Sequence, residues 1–425
     1  MKEIRYIDLF AGMGGIRIGF EQACQEKKIL SKCVFTSEIK KSAIQVYEEY
    51  FQERVFGDIT KIDNNTIPEF DILLAGFPCQ SFSTAGTRRG LIDSRGTLFF
   101  EIERILKEKQ PIGFILENVE GLVSHNNGKT FQRILSILEQ LGYFVSWKIL
   151  NSIDFSIPQN RKRVYIIGNR MKKISFESIP LYPKKNLSSI LEHGLSVLKT
   201  PYTQKLLQKY TILELQGKAI NDKRNGLNNI HSWDIGLKGE VTKKQKEILN
   251  QLICKRRYKK WALKKGIHWM DGMPLTLEEI QTFIPEKKEV LKRLLDDLVE
   301  KGYIVYEYPK KKIQIGSYTK RIYDETLEKG YNIVSGKLSF EIIKVLDPNQ
   351  VAPTLVATDV SRIAVTDEKG IRHLTVKEGL RLFGYSDNYP LKSISYKDAF
   401  DLLGNTVVIP VIKEISHCLL KSIIF

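Results

Sequence analysis

A chain of 425 residues, 42% of them hydrophobic, is long enough to bury two cores or three. Lys and Arg outnumber Asp and Glu by 66 to 49, a formal net charge of +17 that points to a polyanionic partner, most simply nucleic acid. The five cysteines are scattered without a CxxC pair, which argues against a disulfide framework and a zinc site. The start, MKEIRYIDLF, lacks the apolar region of a secretion signal, and no apolar run approaches membrane-spanning length, so a cytoplasmic, reducing setting without a membrane is expected. The charge is uneven. Residues 201–350 hold 29 basic and 19 acidic side chains, and 241–265 hold 10 basic ones with Glu247 alone on the acidic side. That concentration favours a binding surface over general solubility.

In chain order, Ile4 to Leu9 reads as a strand, and Phe10-Ala-Gly12-Met13-Gly14-Gly15 as a glycine-rich turn into a helix, Ile16 to Gln25. Glycines there let a ligand approach the backbone and leave helix N–H groups free. The spacing is not the dinucleotide fingerprint, and alone it is a weak signal. A second strand, Cys33 to Ser37, ends in Glu38, and Gly57-Asp58-Ile59 gives another acid after a further short strand. An acid about 20 residues beyond a glycine turn is how open α/β sheets hydrogen-bond ribose hydroxyls. No lysine follows the glycines, so a nucleoside is expected rather than a triphosphate.

Asp71 to Ala75 has the pattern of a strand buried on both faces, and Pro78-Cys79-Gln80 follows it onto a Ser- and Gly-rich loop. Two readings of Cys79 stand on local grounds: a small buried hydrophobe, or a nucleophile where open sheets bind their ligands. After a helix to about Lys109, the strand Ile112 to Leu116 ends in Glu117-Asn118-Val119, which should set a carboxylate beside Cys79. A helix cap or turn is the competing role, more for Asn118 than for Glu117. Beyond a helix at Phe131 to Leu141 and a strand at Tyr143 to Leu150, Gln159-Asn-Arg161-Lys-Arg163 leads into the strand Val164 to Ile167. Arginines spaced by two on extended chain point the same way, so Arg161 and Arg163 either face one anionic ligand or form a solvated charge run.

Composition shifts near Pro180 to Lys185, and to about Leu346 the chain is basic and aromatic without strand–helix alternation. In Lys255 to Lys260, KRRYKK, Arg256 and Arg257 are expected to bind phosphates, anchored by the helical pattern Ile248, Leu249, Leu252, Ile253. Leu275 to Gly316 reads as a winged-helix-like unit: a capped short helix at Thr276, a second helix from Pro285, then Tyr303 to Tyr308 and Ile313 to Ile315 as a hairpin tipped by Lys310 to Lys312. Lys292 and Arg293 on the second helix would face a DNA groove, with Lys310 to Lys312 on the flanking backbone. A helical hairpin and ribbon that only brace the domain is the alternative. The alternation returns with Val351 to Leu355 as a strand, a turn and helix from Arg372 to Gly384, and Gly404-Asn405 opening an amphipathic C-terminal helix. The six histidines show no metal spacing, so no metal is expected.

Taken together, DLFAGMGG, GFPCQSFS, ENV, QNRKR, RHLTVKEGLRLFGY and GNTVV resemble the DNA (cytosine-5)-methyltransferases of bacterial restriction-modification type, in that family's order, over about 1–172 and 350–425. The resemblance implies a doubly wound, Rossmann-like α/β methyltransferase sheet at 1–185, completed by 404–425, and a smaller target-recognition domain at 186–403. It implies that Cys79 adds to carbon 6 of a flipped-out cytosine, that Glu117 contacts ring nitrogen 3 and the amino group, and that Arg161 and Arg163 help hold the base. The loop Ser81 to Leu98, with Arg88, Arg89 and Arg95, would close over the DNA. For S-adenosylmethionine it implies Phe10 against the adenine and Gly12, Met13 and Gly15 along the backbone. Glu38 would take the ribose and Asp58 with Ile59 the adenine amino group, with Pro78, Leu98, Asn405 and Val407 completing the pocket. Ile39 stands where many members carry tryptophan, and Val376 where a proline is common. The expected partner is double-stranded DNA, met by a monomer, with any cognate restriction endonuclease acting independently. A tRNA cytosine methyltransferase, or a DNA-binding module with a vestigial core, are the competing readings. The basic insert and the intact Cys79, Glu117 and Arg163 count against them.

Overall fold

The computed structural model describes residues 3–78, 97–223, 226–267, 272–315, 318–334, 340–357 and 359–423. They form two compact units, one from 1–192, 348–361 and 374–425, the other from 193–347 and 362–373. The stretch 374–403, grouped with the recognition domain from sequence, therefore belongs to the first unit.

The first unit is built on a six-stranded sheet. Its strands are β1 (Ile4–Leu9), β2 (Ser31–Ser37), β3 (Ile72–Gly76), β4 (Gly113–Val119), β5 (Phe144–Asn151) and β6 (Lys162–Asn169), in the order β2-β1-β3-β4-β6-β5. β1 to β4 run parallel and β6 is antiparallel to both of its neighbours. Because β1, β2 and β3 are parallel, their carboxyl ends share one edge, and the strand order reverses between β1 and β3, the place where open α/β sheets bind ligands. The helices are α1 (Gly15–Glu26), α2 (Lys41–Phe51), α3 (Thr97–Lys109), the short α4 (Gly121–Ser124) and α5 (Lys129–Gln140). α12 (Val376–Arg381), α13 (Tyr396–Asn405) and α14 (Ile409–Ile423) complete the unit. α5 buries Phe131, Ile134, Leu135 and Leu138, one helical stripe, against the sheet. Each such side chain contributes about 1.5–3 kcal/mol, several times an exposed helix ion pair, so the stripe sets the helix's orientation.

α1 and α14 pack closely. A Cβ at Gly19 would fall 2.7 Å from Ile412 Cβ, so only glycine permits the approach. Tyr396–Ile423 is apolar and long enough by composition to cross a membrane, but its chain breaks between α13 and α14 and its apolar window is 78% buried in the unit. It is a core element. Gly404 and Asn405 are the last residues of α13 rather than the first of the C-terminal helix.

Val351 to Leu355 forms no strand. Ala352 makes a single bridge to Gln159. Pro353 has no N–H to donate, the Leu355 N–H goes to Gln159 Oε1 at 3.2 Å, and the Leu355 carbonyl accepts from Arg161 Nη1 at 3.0 Å. Side chains take the place of a ladder.

The second unit has two apolar clusters. In one, Tyr202, Leu206, Ile220, Ile230, Val345, Ala364 and Ile371 pack together. This cluster belongs with α6 (Pro201–Lys209), α7 (Ile212–Leu215) and a sheet in the order β15-β14-β13-β7-β8. Its strands are β7 (Ala219–Ile220), β8 (Asn229–Ile230), β13 (Lys344–Leu346), β14 (Ile363–Asp367) and β15 (Gly370–His373). The other cluster packs Trp233 with Ile248, Leu249, Leu252, Trp261, Leu291, Leu295 and Leu298 from α8 (Lys243–Lys255), α9 (Lys259–Lys264) and α11 (Lys288–Glu300). The capped short helix is α10 (Leu277–Gln281), with Thr276 in a capping box to Glu279.

The hairpin expected after α11 is not made. β9 (Ile304–Glu307) pairs with β12 (Gly330–Ile333), and β10 (Lys310–Ile315) pairs with β11 (Tyr318–Tyr323). Pro309 separates β9 from β10 and its carbonyl accepts the Asp324 N–H at 2.8 Å. Lys310 to Lys312 therefore lie at the root of a second ribbon, not at a tip.

Arg256 does not face a phosphate. It is 1% exposed at the end of α8, where Nη1 donates to Asn332 Oδ1 at 2.6 Å and its carbonyl accepts from Met273. The amphipathic pattern around it was legible, but the turn after Lys255 carries this one arginine inward. We expect Arg256→Ala to destabilise the protein by about 2–3 kcal/mol, since it strips a charge-assisted bond from buried Asn332. Thermal unfolding of the variant checks this, and a melting temperature equal to wild type would contradict it.

Candidate active site

The glycine turn is held from both sides. At its start Phe10 adopts φ 54° and Gly12 also lies at φ 54°, where a Cβ would meet no atom within 4 Å. The backbone there borders open space. Gly12 N–H donates to Glu38 Oε2 at 2.8 Å, and Glu38 Oε1 accepts the N–H groups of Ile39 and Lys40, each at 2.8 Å. Glu38 thus locks the end of β2 to the turn after β1. Phe56 pairs beside Ser37, which sets Asp58 and buried Ile59 next to the same edge. Asp58 Oδ1 accepts from the Thr60 hydroxyl and N–H, which holds its carboxyl below the usual range. Met13 is buried, and its carbonyl accepts from the Tyr389 hydroxyl. Ile39 is 72% exposed and covers nothing.

Gly15 is a point of close approach. A Cβ there would lie 2.5 Å from Tyr385 Oη and 2.8 Å from Val407 Cγ2. The Thr406-Val407 segment after α13 seats directly on the first turn of α1, with Thr406 Oγ1 2.6 Å from Tyr385 Oη. Asn405 is exposed and hydrogen-bonds the Asp401 carbonyl. Pro78 and Leu98 are half-buried on either side of residues 79–96.

Across the sheet, β3 ends beside β4 with Gly76 opposite Glu117. Gly76 leaves room for that side chain, since a Cβ would stand 3.6 Å from Glu117 Oε2. Glu117 is 9% exposed, and Arg163 Nε lies 3.1 Å from its Oε1. Burial pushes the Glu117 carboxyl above its ordinary range, while Arg163 and then Arg161 pull it down. Asn118 caps no helix: its Nδ2 donates to the Phe77 carbonyl at 2.9 Å, fixing the chain one residue before Pro78.

Arg161 differs from its neighbour. It is 3% exposed and donates to the carbonyls of Leu355, Gly404 and Thr406, at 3.0, 3.2 and 2.7 Å. Burial, with Arg163 next, pushes its guanidinium down to about 9. The two arginines do not face one ligand. Arg163 holds the carboxylate, and Arg161 ties the segments that carry Leu355 and Thr406. Cys79, Arg88, Arg89 and Arg95 lie outside the described residues.

The sequence model for C-5 cytosine-specific DNA methylases matches residues 4–421. The chain belongs to that family. The methylase is 57% identical over the whole of both chains to Type II methyltransferase M.NlaIV of Neisseria lactamica. It is 38% identical to Type II methyltransferase M.BanI of Aneurinibacillus aneurinilyticus, covering 99% of this chain and 96% of the other. Among solved structures, the Entamoeba histolytica methyltransferase EhMeth matches with a TM-score of 0.55 and 17% identity over 100% and 99% of the chains. The S. pombe Dnmt2 methyltransferase matches at 0.54 and 13% over 99% and 100%. These likenesses bear on the fold, which is the Rossmann-like α/β fold of methyltransferases.

Sequence reasoning missed the supports of the methylase's site. Tyr385 and Tyr389, Gln159 and Thr406 all stand within or beside quoted motifs, but only burial reveals what they brace. Gln159 is fully buried, donating to the Leu382 carbonyl at 2.9 Å. In the second unit Arg257 is exposed next to buried Arg256, and Lys292 and Arg293 are exposed on α11, with Lys292 paired to Asp296 at 2.6 Å. Among the described residues no group of His, Cys, Asp and Glu could hold a metal.

Proposed function

We propose that the methylase modifies carbon 5 of a flipped-out cytosine in duplex DNA, with the Cys79 thiolate adding to carbon 6. What carries this reading is the buried Glu117–Arg163 pair beside the end of β3, whose Phe77 carbonyl Asn118 ties just before Pro78-Cys79. Carbon 5 is a poor nucleophile until sulfur bonds to carbon 6 and the ring's electrons shift toward carbon 5. Glu117, its carboxyl pushed upward by burial, donates to ring nitrogen 3 as that negative charge develops, and Arg163 fixes its orientation. Loss of the carbon-5 proton to solvent, with return of the nitrogen-3 proton to Glu117, then re-forms the double bond and expels the thiolate. The target atom is inaccessible within a duplex, so the base must leave the stack.

The chain's open glycine turn and the acids at the ends of its first strands fit S-adenosylmethionine. When bound, it supplies the methyl group. Phe10, Gly12, Met13 and Gly15 would line its nucleoside and backbone side, Glu38 would face the ribose, and Asp58 and Ile59 the adenine. Pro78, Leu98, Asn405 and Val407 would close the pocket, and exposed Ile39 would border it. The second unit would read the target, with Arg257 on phosphates, and Lys292 and Arg293 nearer the groove. Arg88, Arg89 and Arg95 would close over the strand, and Arg161 would hold the site's walls. Its relatives' names, Type II methyltransferases, support a role in protecting DNA against a restriction endonuclease.

The test is to incubate the full chain with S-adenosylmethionine and, in parallel, a mixed-sequence plasmid or bulk tRNA, and to map 5-methylcytosine. We expect methylation at one short sequence. Methylation confined to RNA, or none at all, would overturn the reading.

A further inference from the structure

The β10–β11 ribbon has two unlike faces. In an antiparallel pair, residues directly opposite share a face, so the register Lys310–Tyr323, Lys312–Arg321 and Gln314–Thr319 puts these six side chains together. Five of them are exposed, and Lys310 is half-buried at the root. The other face turns half-buried Lys311, Ile313 and Ile322, with exposed Lys320, the opposite way. Residues 310–323 carry four lysines, one arginine and no acid. Lys310 and Lys311 pair with Glu307 and Asp324 at 3.6 and 3.1 Å, while Lys312 and Arg321 stand opposite one another on the exposed face. That face is basic and polar, which suits a polyanion.

The ribbon's root is fixed. The Tyr323 hydroxyl donates to Glu307 Oε2 at 2.9 Å, Glu307 Oε1 accepts from Asn332 at 2.8 Å, and Asn332 accepts from buried Arg256 at 2.6 Å. Thr319 donates to Gln314 Oε1 at 3.0 Å, holding two of the exposed side chains in register. A reading element needs this kind of support from a rigid base. The helix first suspected of reading the groove compares poorly: α11, Lys288–Glu300, holds three basic and four acidic side chains.

We propose that the exposed face of the β10–β11 ribbon enters the DNA major groove and reads base edges, with Arg321 and Gln314 as specificity-determining residues. This rests on duplex DNA being the methylase's substrate. A major groove about 12 Å wide admits a two-stranded ribbon. Arginine's fork matches the two acceptors of guanine, and a Gln side chain matches the donor and acceptor of adenine. Lys310, at the root, and Lys312, across the ribbon from Arg321, lie along the flanking phosphates.

The experiment first maps the wild-type target on a plasmid, then compares methylation rates on a target duplex and on duplexes changed at one base pair other than the methylated one. Arg321→Lys keeps the charge and removes the fork. It should lower discrimination at one G·C pair by roughly tenfold or more, with DNA affinity at low salt unchanged. Gln314→Ala should do the same at an A·T pair of the target, and a mapped target that specifies no A·T pair would overturn the assignment of Gln314. Both sites are exposed, and unfolding curves matching wild type confirm an intact fold. If target and altered duplexes keep their wild-type ratio in both variants, the ribbon contacts backbone only and the proposal fails. A wild type that marks no plasmid sequence would sink the proposed function instead, so the two failures are separable.

Discussion

Replacing Cys79 with serine is expected to lower methyl transfer by roughly four orders of magnitude or more, because a hydroxyl with a far higher pKa cannot supply the attacking anion. The stronger form of the test uses a duplex carrying 5-fluorocytosine at the mapped target. With S-adenosylmethionine present, fluorine at carbon 5 leaves no proton to remove once the methyl group has been transferred, so the thiolate cannot be expelled. Wild type should migrate as a stable protein–DNA adduct under denaturing conditions, and Cys79→Ser should not. An absent wild-type adduct, or one that persists in the variant, would rule out this nucleophile. Among the described cysteines Cys24, Cys33 and Cys418 are buried, and burial raises each thiol's pKa, to about 11 for Cys24 and Cys33. None of these three competes as a thiolate.

The catalytic unit was legible because its signals are local. The strand Ile72–Gly76 follows directly from an apolar run stopped by glycine, and α5 follows from its four-residue stripe. Paired acids and glycines at strand ends likewise mark a crevice whatever lies between them. What sequence could not give is how one side chain answers another at long range. Arg161 and Arg163 are alike in spacing, yet one is satisfied by carbonyls 194 to 245 residues away and the other by Glu117. Strand pairing in the second unit failed for a related reason. Short β9 and β10 adjoin in sequence, and nothing local says that Gly330–Ile333 will pair with the first of them. There Gly330 allows it: a Cβ would fall 2.5 Å from the Leu275 backbone, which Tyr331 bonds on both sides. Arg256 and Arg257 illustrate the limit most plainly, since adjacent arginines in one basic run end on opposite sides of the surface.

Glu117→Gln is expected to slow methylation by about two to four orders of magnitude with little change in DNA affinity, the range for losing a positioned proton donor. The carboxyl's raised pKa gives this a further signature in pH. If the protonated acid is the active form, wild-type turnover should fall as pH rises through the folded-state pKa of Glu117, and the residual activity of the variant should lack that descending limb. Stability obeys the same linkage. A folded pKa above the unfolded one means the native state binds the proton more tightly, so this contribution is full below the unfolded value and is lost as pH rises through the folded one. Glutamine cannot titrate. The variant's stability relative to wild type should therefore increase with pH across that window, whatever fixed cost attends leaving Arg163 without its carboxylate. Turnover and unfolding measured from mildly acidic to mildly alkaline pH check both slopes. A wild-type profile that only rises, together with a stability difference that falls with pH, would mean that Glu117 is an ordinary ionised carboxylate and acts solely by charge.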